Sequence, residues 1–160
     1  MATFASRTGS LYRSMQHRFA AKTSKQGRIT RVGREVPFSL AQFRAAVLAV
    51  YESEHGHRIC TYCPRPLSVL TFSPDHIKPV KRGGGLGLDN LDLQCCPVCN
   101  HRKGGLTREE FQALLEGLKT FPEAAQTDVL NRLEIAVQLA AGKNWHANRP
   151  PQQQPQPEDF

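Results

Sequence analysis

Residues Phe72 to Gly105 read FSPDHIKPVKRGGGLGLDNLDLQCCPVCNHRKGG, and this stretch decides the fold of the chain. It combines an Asp-His pair, three consecutive glycines, an Asp-Asn pair and a Cys-x-x-Cys motif. Its apolar residues keep neither a helical nor a strand period for long, so it is not one regular element. A second Cys-x-x-Cys motif precedes it, at Cys60 and Cys63. The two motifs predict a small domain organised around a metal ion.

The cysteine spacing predicts a structural zinc site. Two pairs of thiolates close a tetrahedral site that leaves no open coordination position, so this zinc is not expected to be catalytic. The stretch between the pairs is longer than in a simple zinc ribbon and leaves room for a hairpin and a long loop. The predicted ligands are Cys60, Cys63, Cys96 and Cys99. Cys95 has no cysteine three positions later, and we predict that it is a small buried residue.

The formal net charge of +7 arises in the N-terminal arm, residues 1–36. The arm holds eight Lys and Arg against the single acid Glu35, whereas the rest of the chain is balanced. Such a segment is typical of proteins that neutralise phosphates, so we predict contact with nucleic acid. Two other interpretations stay open: a solvated tail and an organellar targeting segment.

Paired Cys-x-x-Cys motifs without a secretion signal favour a metal site over disulfides and therefore a reducing compartment, most simply the cytoplasm. No run approaches eighteen apolar residues, so no membrane span is expected. We predict five segments: a basic disordered arm at 1–36, a helix packing on the central module at 37–57, the module itself at 58–105, C-terminal helices at 106–145 and a Pro/Gln-rich disordered tail at 146–160.

Local signals place the helices and strands. A capping box at Ser39 predicts a helix over about 40–54, and another at Thr107 predicts a helix that Pro122 ends. A further helix is predicted to end at Gly142.

Within the module, residues 68–72 are predicted to form a strand that pairs with 76–80 across a bend at Ser73 and Pro74. A short helix is expected to begin at the second cysteine pair.

The order of the motifs CTYC, DHIKP, GGG, DNL and CPVCNHRKG resembles the HNH (ββα-metal) endonuclease family, over about residues 58–105. The resemblance implies an α+β fold, in which a small ββα-metal module is stapled by the four-cysteine zinc site and flanked by α-helices. It also implies an enzyme that hydrolyses DNA phosphodiester bonds, by nicking or cutting, and leaves 5′-phosphate and 3′-hydroxyl ends. A bacterial or phage origin would fit proteins of this layout.

The resemblance assigns roles to individual residues. His76 matches the general base, and Asn90 matches the central Asn that orients it. Asp75 matches a metal ligand, as does Asn100, which directly follows the last cysteine. This chain has one residue more than the family usually has between the central Asn and the last cysteine pair, so His101 is kept as the reserve for Asn100.

The chemistry of these residue types agrees with the assignment. An imidazole takes a proton from water near neutral pH. Carboxylate and amide oxygens suit one hard divalent ion, expected to be Mg²⁺ with Mn²⁺ tolerated, whereas a ligand at His101 would favour softer ions. Five basic residues around the motif are predicted to hold the DNA backbone: Lys78, Lys81, Arg82, Arg102 and Lys103.

Two other function classes compete with a nuclease. A non-catalytic zinc module that binds nucleic acid would keep the cysteines and the arm but would need neither Asp75 nor His76. A partner-docking protein would use helices at 107–118 and 127–141 as its interaction face. The target sequence, the biological pathway and the choice between monomer and homodimer stay open.

Overall fold

The computed structural model describes residues 2–19, 22–23, 29–31 and 35–140. The elements in chain order are α1 (Phe4–Phe19), β1 (Lys22–Thr23), β2 (Ile29–Arg31), α2 (Leu40–Tyr51), β3 (His57–Ile59), β4 (Pro66–Ser68), β5 (Asp75–His76), β6 (Leu91–Asp92), α3 (Pro97–Lys103), α4 (Arg108–Leu118) and α5 (Glu123–Ala140). In the described ranges the strands form three antiparallel pairs, β1–β2, β3–β4 and β5–β6. The predicted α+β class is confirmed, and β5, β6 and α3 follow one another in ββα order. The tail predicted at 146–160 lies outside the described residues.

The helix predicted after Ser39 is present as α2. The Ser39 hydroxyl accepts a hydrogen bond from the Gln42 amide, and the Gln42 side chain accepts one from the Ser39 amide, which completes the capping box. Phe43 and Tyr51 on one face of the helix are fully buried. The Tyr51 hydroxyl donates to the carbonyl oxygen of Leu93 at 3.1 Å. This bond ties α2 to the segment that follows β6.

The N-terminal arm contains a helix that the sequence analysis did not predict. Phe4, Thr8 and Met15 of α1 recur at helical spacing and therefore share one face of the helix. This face is buried. The guanidinium of Arg7 donates to the carbonyl oxygen of Phe72 at 2.9 Å, which ties α1 directly to the central module. The disorder predicted for 1–36 is therefore wrong for Phe4–Phe19.

The predicted hairpin of 68–72 with 76–80 is also wrong. The amides of Thr71 and Phe72 donate to the carbonyl oxygen of Ser68 at 3.1 and 3.2 Å, so the chain turns there instead of extending. Strand β4 pairs with β3, around the first cysteine pair. Strand β5 pairs with β6, with Asp75 opposite Asp92.

The helices after the module confirm the sequence signals. Thr107 and Glu110 form the predicted capping box of α4, whose Phe111 is fully buried. Helix α5 begins at Glu123, directly after Pro122, and packs against α3. The stop predicted at Gly142 lies outside the described residues. No helix in the described part of the chain is long and apolar enough to cross a membrane.

Candidate functional site

The four predicted zinc ligands lie together. The sulfur atoms of Cys60, Cys63, Cys96 and Cys99 are all within 4.8 Å of one another. The Cys63 and Cys96 sulfurs are 3.9 Å apart, close to the roughly 3.8 Å expected between thiolates that share one tetrahedral zinc. The first pair lies in the turn between β3 and β4, whereas Cys96 caps the N-terminus of α3.

Backbone amides donate hydrogen bonds to two of the four sulfur atoms. The Cys96 amide donates to the Cys60 sulfur at 3.3 Å, and the Cys99 amide donates to the Cys96 sulfur at 3.4 Å. Hydrogen bonds from the thiols of Cys95 and Cys99 lower the pKa of Cys60 and raise the pKa of both donors. Burial raises the pKa of Cys63. Cys95 itself is fully buried, as predicted, and lies outside the four-sulfur group. The cluster therefore has the composition and geometry of a structural zinc site.

A cavity of about 360 Å³ lies beside β5 and α3. The residues that matter for its chemistry are Asp75, His76, Asn100 and Lys103 from the central module, and Arg18 and Phe19 from the end of α1. Three of the four residues predicted to act in catalysis or to bind the catalytic ion therefore line one cavity, namely Asp75, His76 and Asn100.

Asp75 is 6% exposed and pairs with Lys103, whose side chain is also buried. The Lys103 Nζ lies 3.1 Å from Oδ2 of Asp75 and 3.4 Å from Oδ1. This contact is an ion pair without a well-directed hydrogen bond to Oδ2, which has no hydrogen-bond partner among the described residues. Burial raises the pKa of Asp75 to about 6, and the charge of Lys103 opposes that rise.

His76 has a neutral imidazole at physiological pH. Burial lowers its pKa to about 4, and the positive charges of Arg18 and Lys103 add to the effect. The Phe19 ring meets the imidazole edge-on, with 5.5 Å between centroids and 85° between planes. A neutral ring can accept a proton, although a lowered pKa makes it a weaker base.

Asn90 joins the two ends of the loop between β5 and β6. Its Oδ1 accepts from the Lys78 amide at 2.9 Å, while its Nδ2 donates to the carbonyl oxygens of Lys78 and Gly85 at 2.9 and 2.8 Å. Its backbone carbonyl accepts from the Ile77 amide at 2.9 Å. In the described residues none of these bonds reaches the His76 imidazole. Asn90 therefore fixes the backbone that follows His76, and its role in orienting the base stays a prediction.

Asn100 and His101 differ in placement. The Asn100 Nδ2 donates to Ser73 Oγ and to the Pro74 carbonyl oxygen, both at 3.0 Å, which fixes the amide at the cavity wall. His101 is exposed and is not among the described residues that line the cavity. This placement favours Asn100 over His101 as the predicted ligand of the catalytic ion.

Residues 60–105 match the HNH endonuclease family. The matched HNH segment is less than a third of the chain, and it contains the four-cysteine cluster, β5, β6 and α3. No curated protein and no solved structure matches the chain significantly. The resemblance inferred from the motifs is confirmed for this segment.

The five basic residues predicted to hold DNA do not form one free surface. Lys78 and Lys81 are exposed, and Lys81 also lines the cavity. Arg82 forms a bidentate ion pair with Glu110 of α4.

The other two basic residues belong to α3. Arg102 donates to Asn131 at 3.2 Å and pairs with Glu134 at 3.5 Å, both in α5. Lys103, which was predicted to hold the DNA backbone, is buried, and its ammonium pairs with the carboxylate of Asp75.

Three residues of the site were missed by the sequence analysis in these roles. Lys103 follows Asn100 by three positions, so the two share a helix face, and that spacing was a usable signal. Arg18 and Phe19 reach the cavity only because α1 packs onto the module, and nothing local in the sequence marks that contact.

Proposed function

We propose that this protein is a metal-dependent endonuclease that hydrolyses phosphodiester bonds in DNA, with His76 as the general base. The observation that carries the proposal is that Asp75, His76 and Asn100, which all belong to the HNH segment, line one cavity. Strand β5 supplies Asp75 and His76 and helix α3 supplies Asn100. A purely structural zinc module would not need these groups together.

His76 would take a proton from the attacking water. Its lowered pKa keeps the ring unprotonated at pH 7, and the edge contact with Phe19 limits the orientations of the imidazole. Asn90 would act as a positioning residue, since it fixes the backbone on the C-terminal side of β5.

Asp75 and Asn100 would hold a divalent ion, for which we expect Mg²⁺ or Mn²⁺. Their atoms fit this role, because Oδ2 of Asp75 is buried without a hydrogen bond among the described residues and the Asn100 amide nitrogen is already engaged. A carboxylate oxygen and an amide oxygen are hard ligands. When bound, the ion would neutralise phosphate charge and stabilise the leaving 3′ oxygen.

One observation favours a second candidate, a zinc module that binds nucleic acid without cutting it. The Lys103 ammonium lies 3.1 Å from Asp75 and already balances the carboxylate that a metal would use. In that case the basic residues would serve binding alone.

Plasmid cleavage decides between the two candidates. Supercoiled DNA is incubated with Mg²⁺ or Mn²⁺ and wild type, His76→Ala or His101→Ala, and DNA binding is measured in parallel by fluorescence anisotropy. We expect His76→Ala to lower the cleavage rate by roughly a hundredfold or more, because general base catalysis contributes that much. The exposed neighbour His101 is the matched control and should change little. A wild type that binds DNA but does not cut it supports the binding module, and full activity in His76→Ala refutes the assignment of the base.

A further inference from the structure

The end of α1 forms one wall of the candidate active-site cavity. Arg18 and Phe19 are its last two residues, and both line the cavity with Asp75 and His76. The family match begins at Cys60, so this wall comes from outside the HNH segment.

Hydrogen bonds to α2 and to the segment before it hold α1 in this position. The Arg44 side chain of α2 donates to the Thr8 hydroxyl at 3.0 Å and to the Ala5 carbonyl oxygen at 2.9 Å. The Tyr12 hydroxyl donates to the Phe38 carbonyl oxygen at 2.8 Å. Since Phe19 also packs edge-on against His76, the last turn of α1 is attached to the cavity itself.

Three basic side chains of the described residues line the cavity, and they make different contacts. Lys103 is committed to Asp75 and to the His76 carbonyl oxygen, to which it donates at 2.6 Å. Lys81 lies over Gly105, where a Cβ atom would come within 2.5 Å of its Nζ. Arg18 approaches from the α1 side and lines the cavity together with His76. A guanidinium beside a candidate base is well suited to a phosphate, whose oxygens it can bind in pairs.

We infer that Arg18 binds the phosphate that is attacked in this cavity. Helix α1 then contributes to substrate binding and is not a separate arm. The inference deepens the proposed nuclease function and rests on it. Arg18 would hold a non-bridging phosphate oxygen and direct the phosphorus toward His76. In this role it is a substrate-binding residue supplied by a segment outside the family match.

The test compares Arg18→Ala and Arg18→Lys with Arg13→Ala, a matched control that removes an exposed arginine from the same helix. Cleavage is measured over a range of DNA concentrations, and binding of a short duplex is measured separately without added divalent ion. We expect Arg18→Ala to lower kcat/KM by roughly tenfold to a hundredfold, as for the loss of a charge-assisted hydrogen bond. Arg18→Lys should recover part of this loss, and Arg13→Ala should lower kcat/KM less than Arg18→Ala does, since it removes the same charge from α1 at a position that does not line the cavity.

Binding and cleavage separate the two ways in which this inference can fail. If Arg18→Ala and Arg13→Ala have the same kcat/KM and the same duplex affinity, Arg18 does not bind the phosphate. A wild type that does not cut DNA refutes the nuclease proposal instead, and a weaker duplex affinity of Arg18→Ala than of Arg13→Ala then still supports the contact. Thermal unfolding and zinc content are measured for each variant, and a kcat/KM loss that Arg18→Lys does not recover, together with a lowered Tm in both variants, assigns Arg18 a structural role and overturns the inference.

Discussion

Lys103 and Asp75 form an ion pair inside the protein, with 3.1 Å between Nζ and Oδ2. The register of β5 with β6 places Asp75 opposite a second buried acid, Asp92. Asp92 has its own cation, Arg108, at 3.0 Å. Two facing carboxylates would repel each other, and each is balanced by a basic residue from a later helix. Charge balance therefore couples the strand pair to α3 and α4.

Replacing Lys103 by Met should destabilise the protein in a pH-dependent way. The pKa of Asp75 is raised to about 6, so the stability that this group contributes is full below about pH 4 and is lost as the pH rises through 6. Without Lys103 the charged carboxylate has lost its partner, and we expect a loss of roughly 3 kcal/mol at pH 7.5. Denaturant unfolding at pH 7.5 and pH 5.5 measures the loss, which should shrink at the lower pH.

Lys81→Met is the control for this variant, because Lys81 is an exposed lysine on the same cavity. Its free energy of unfolding should change by no more than about 0.5 kcal/mol. Adding Asp75→Asn to Lys103→Met should recover part of the lost stability, since the amide carries no charge to bury. An equal loss for Lys103→Met at both pH values would contradict the ion-pair account.

Substitutions of the adjacent residues Cys95 and Cys96 should have different effects on the zinc content of the protein. Cys96→Ser removes a predicted ligand, so the protein should lose its zinc and much of its cooperative unfolding transition. Cys95→Ala removes a buried thiol outside the four-sulfur group and should keep about one zinc per chain, with a cost of roughly 1 kcal/mol for the lost packing. Metal analysis after dialysis, with thermal unfolding, checks both. Loss of zinc from Cys95→Ala would mean that the ligand set is shifted by one position.

His76 should stay neutral in mildly acidic solution. Its pKa is lowered to about 4, whereas a histidine in a flexible peptide titrates near 6.5 and is mostly protonated at pH 5.5. Because only the folded state disfavours the charged ring, the destabilisation by His76 grows as the pH falls from 6.5 toward 4. NMR of the imidazole at pH 5.5, in zinc-loaded protein without added divalent ion, should find the neutral form.

The charge of Arg18 is one cause of this shift, so Arg18→Ala should raise the pKa of His76 and Arg13→Ala should not. A protonated His76 in wild type at pH 5.5 would show that the ring is solvated and that α1 does not cover it.

Sequence reasoning succeeded where the signal is local. The Cys96 and Cys99 ligands follow from a spacing of three in a short helix, and the Ser39 capping box follows from a hydrogen-bond pattern within one turn. The pairing of Asp75 with Asp92 joins strands separated by a long loop, so neighbouring residues could not reveal it.

The placement of α1 was not predicted from the sequence, for a related reason. Its charge suggested a solvated arm, whereas packing against α2 buries Phe4 and Met15 and decides the outcome. The ion pair of Lys103 depends in turn on how α3 lies across β5, which is a property of the assembled fold.

The loop between β5 and β6 should tolerate a methyl group at one glycine and not at its neighbour. A Cβ atom at Gly84 would lie 1.9 Å from the Lys78 carbonyl oxygen and 2.8 Å from the Asn90 Nδ2, so backbone must move and the bonds of Asn90 must break. At Gly85 the nearest atom is 3.9 Å away, in Gly87. We expect Gly84→Ala to cost roughly 1–3 kcal/mol in the free energy of unfolding, and Gly85→Ala to be neutral or slightly stabilising.

The same pair of variants tests how Asn90 serves the site. If the loop positions His76 through the backbone, Gly84→Ala should slow plasmid cleavage at a temperature where it is still folded, while Gly85→Ala keeps the wild-type rate. Circular dichroism confirms folding and zinc analysis confirms the intact cysteine cluster, so that a lower rate reports the loop alone. Equal rates for folded Gly84→Ala and Gly85→Ala would show that the bonds of Asn90 do not control the position of His76.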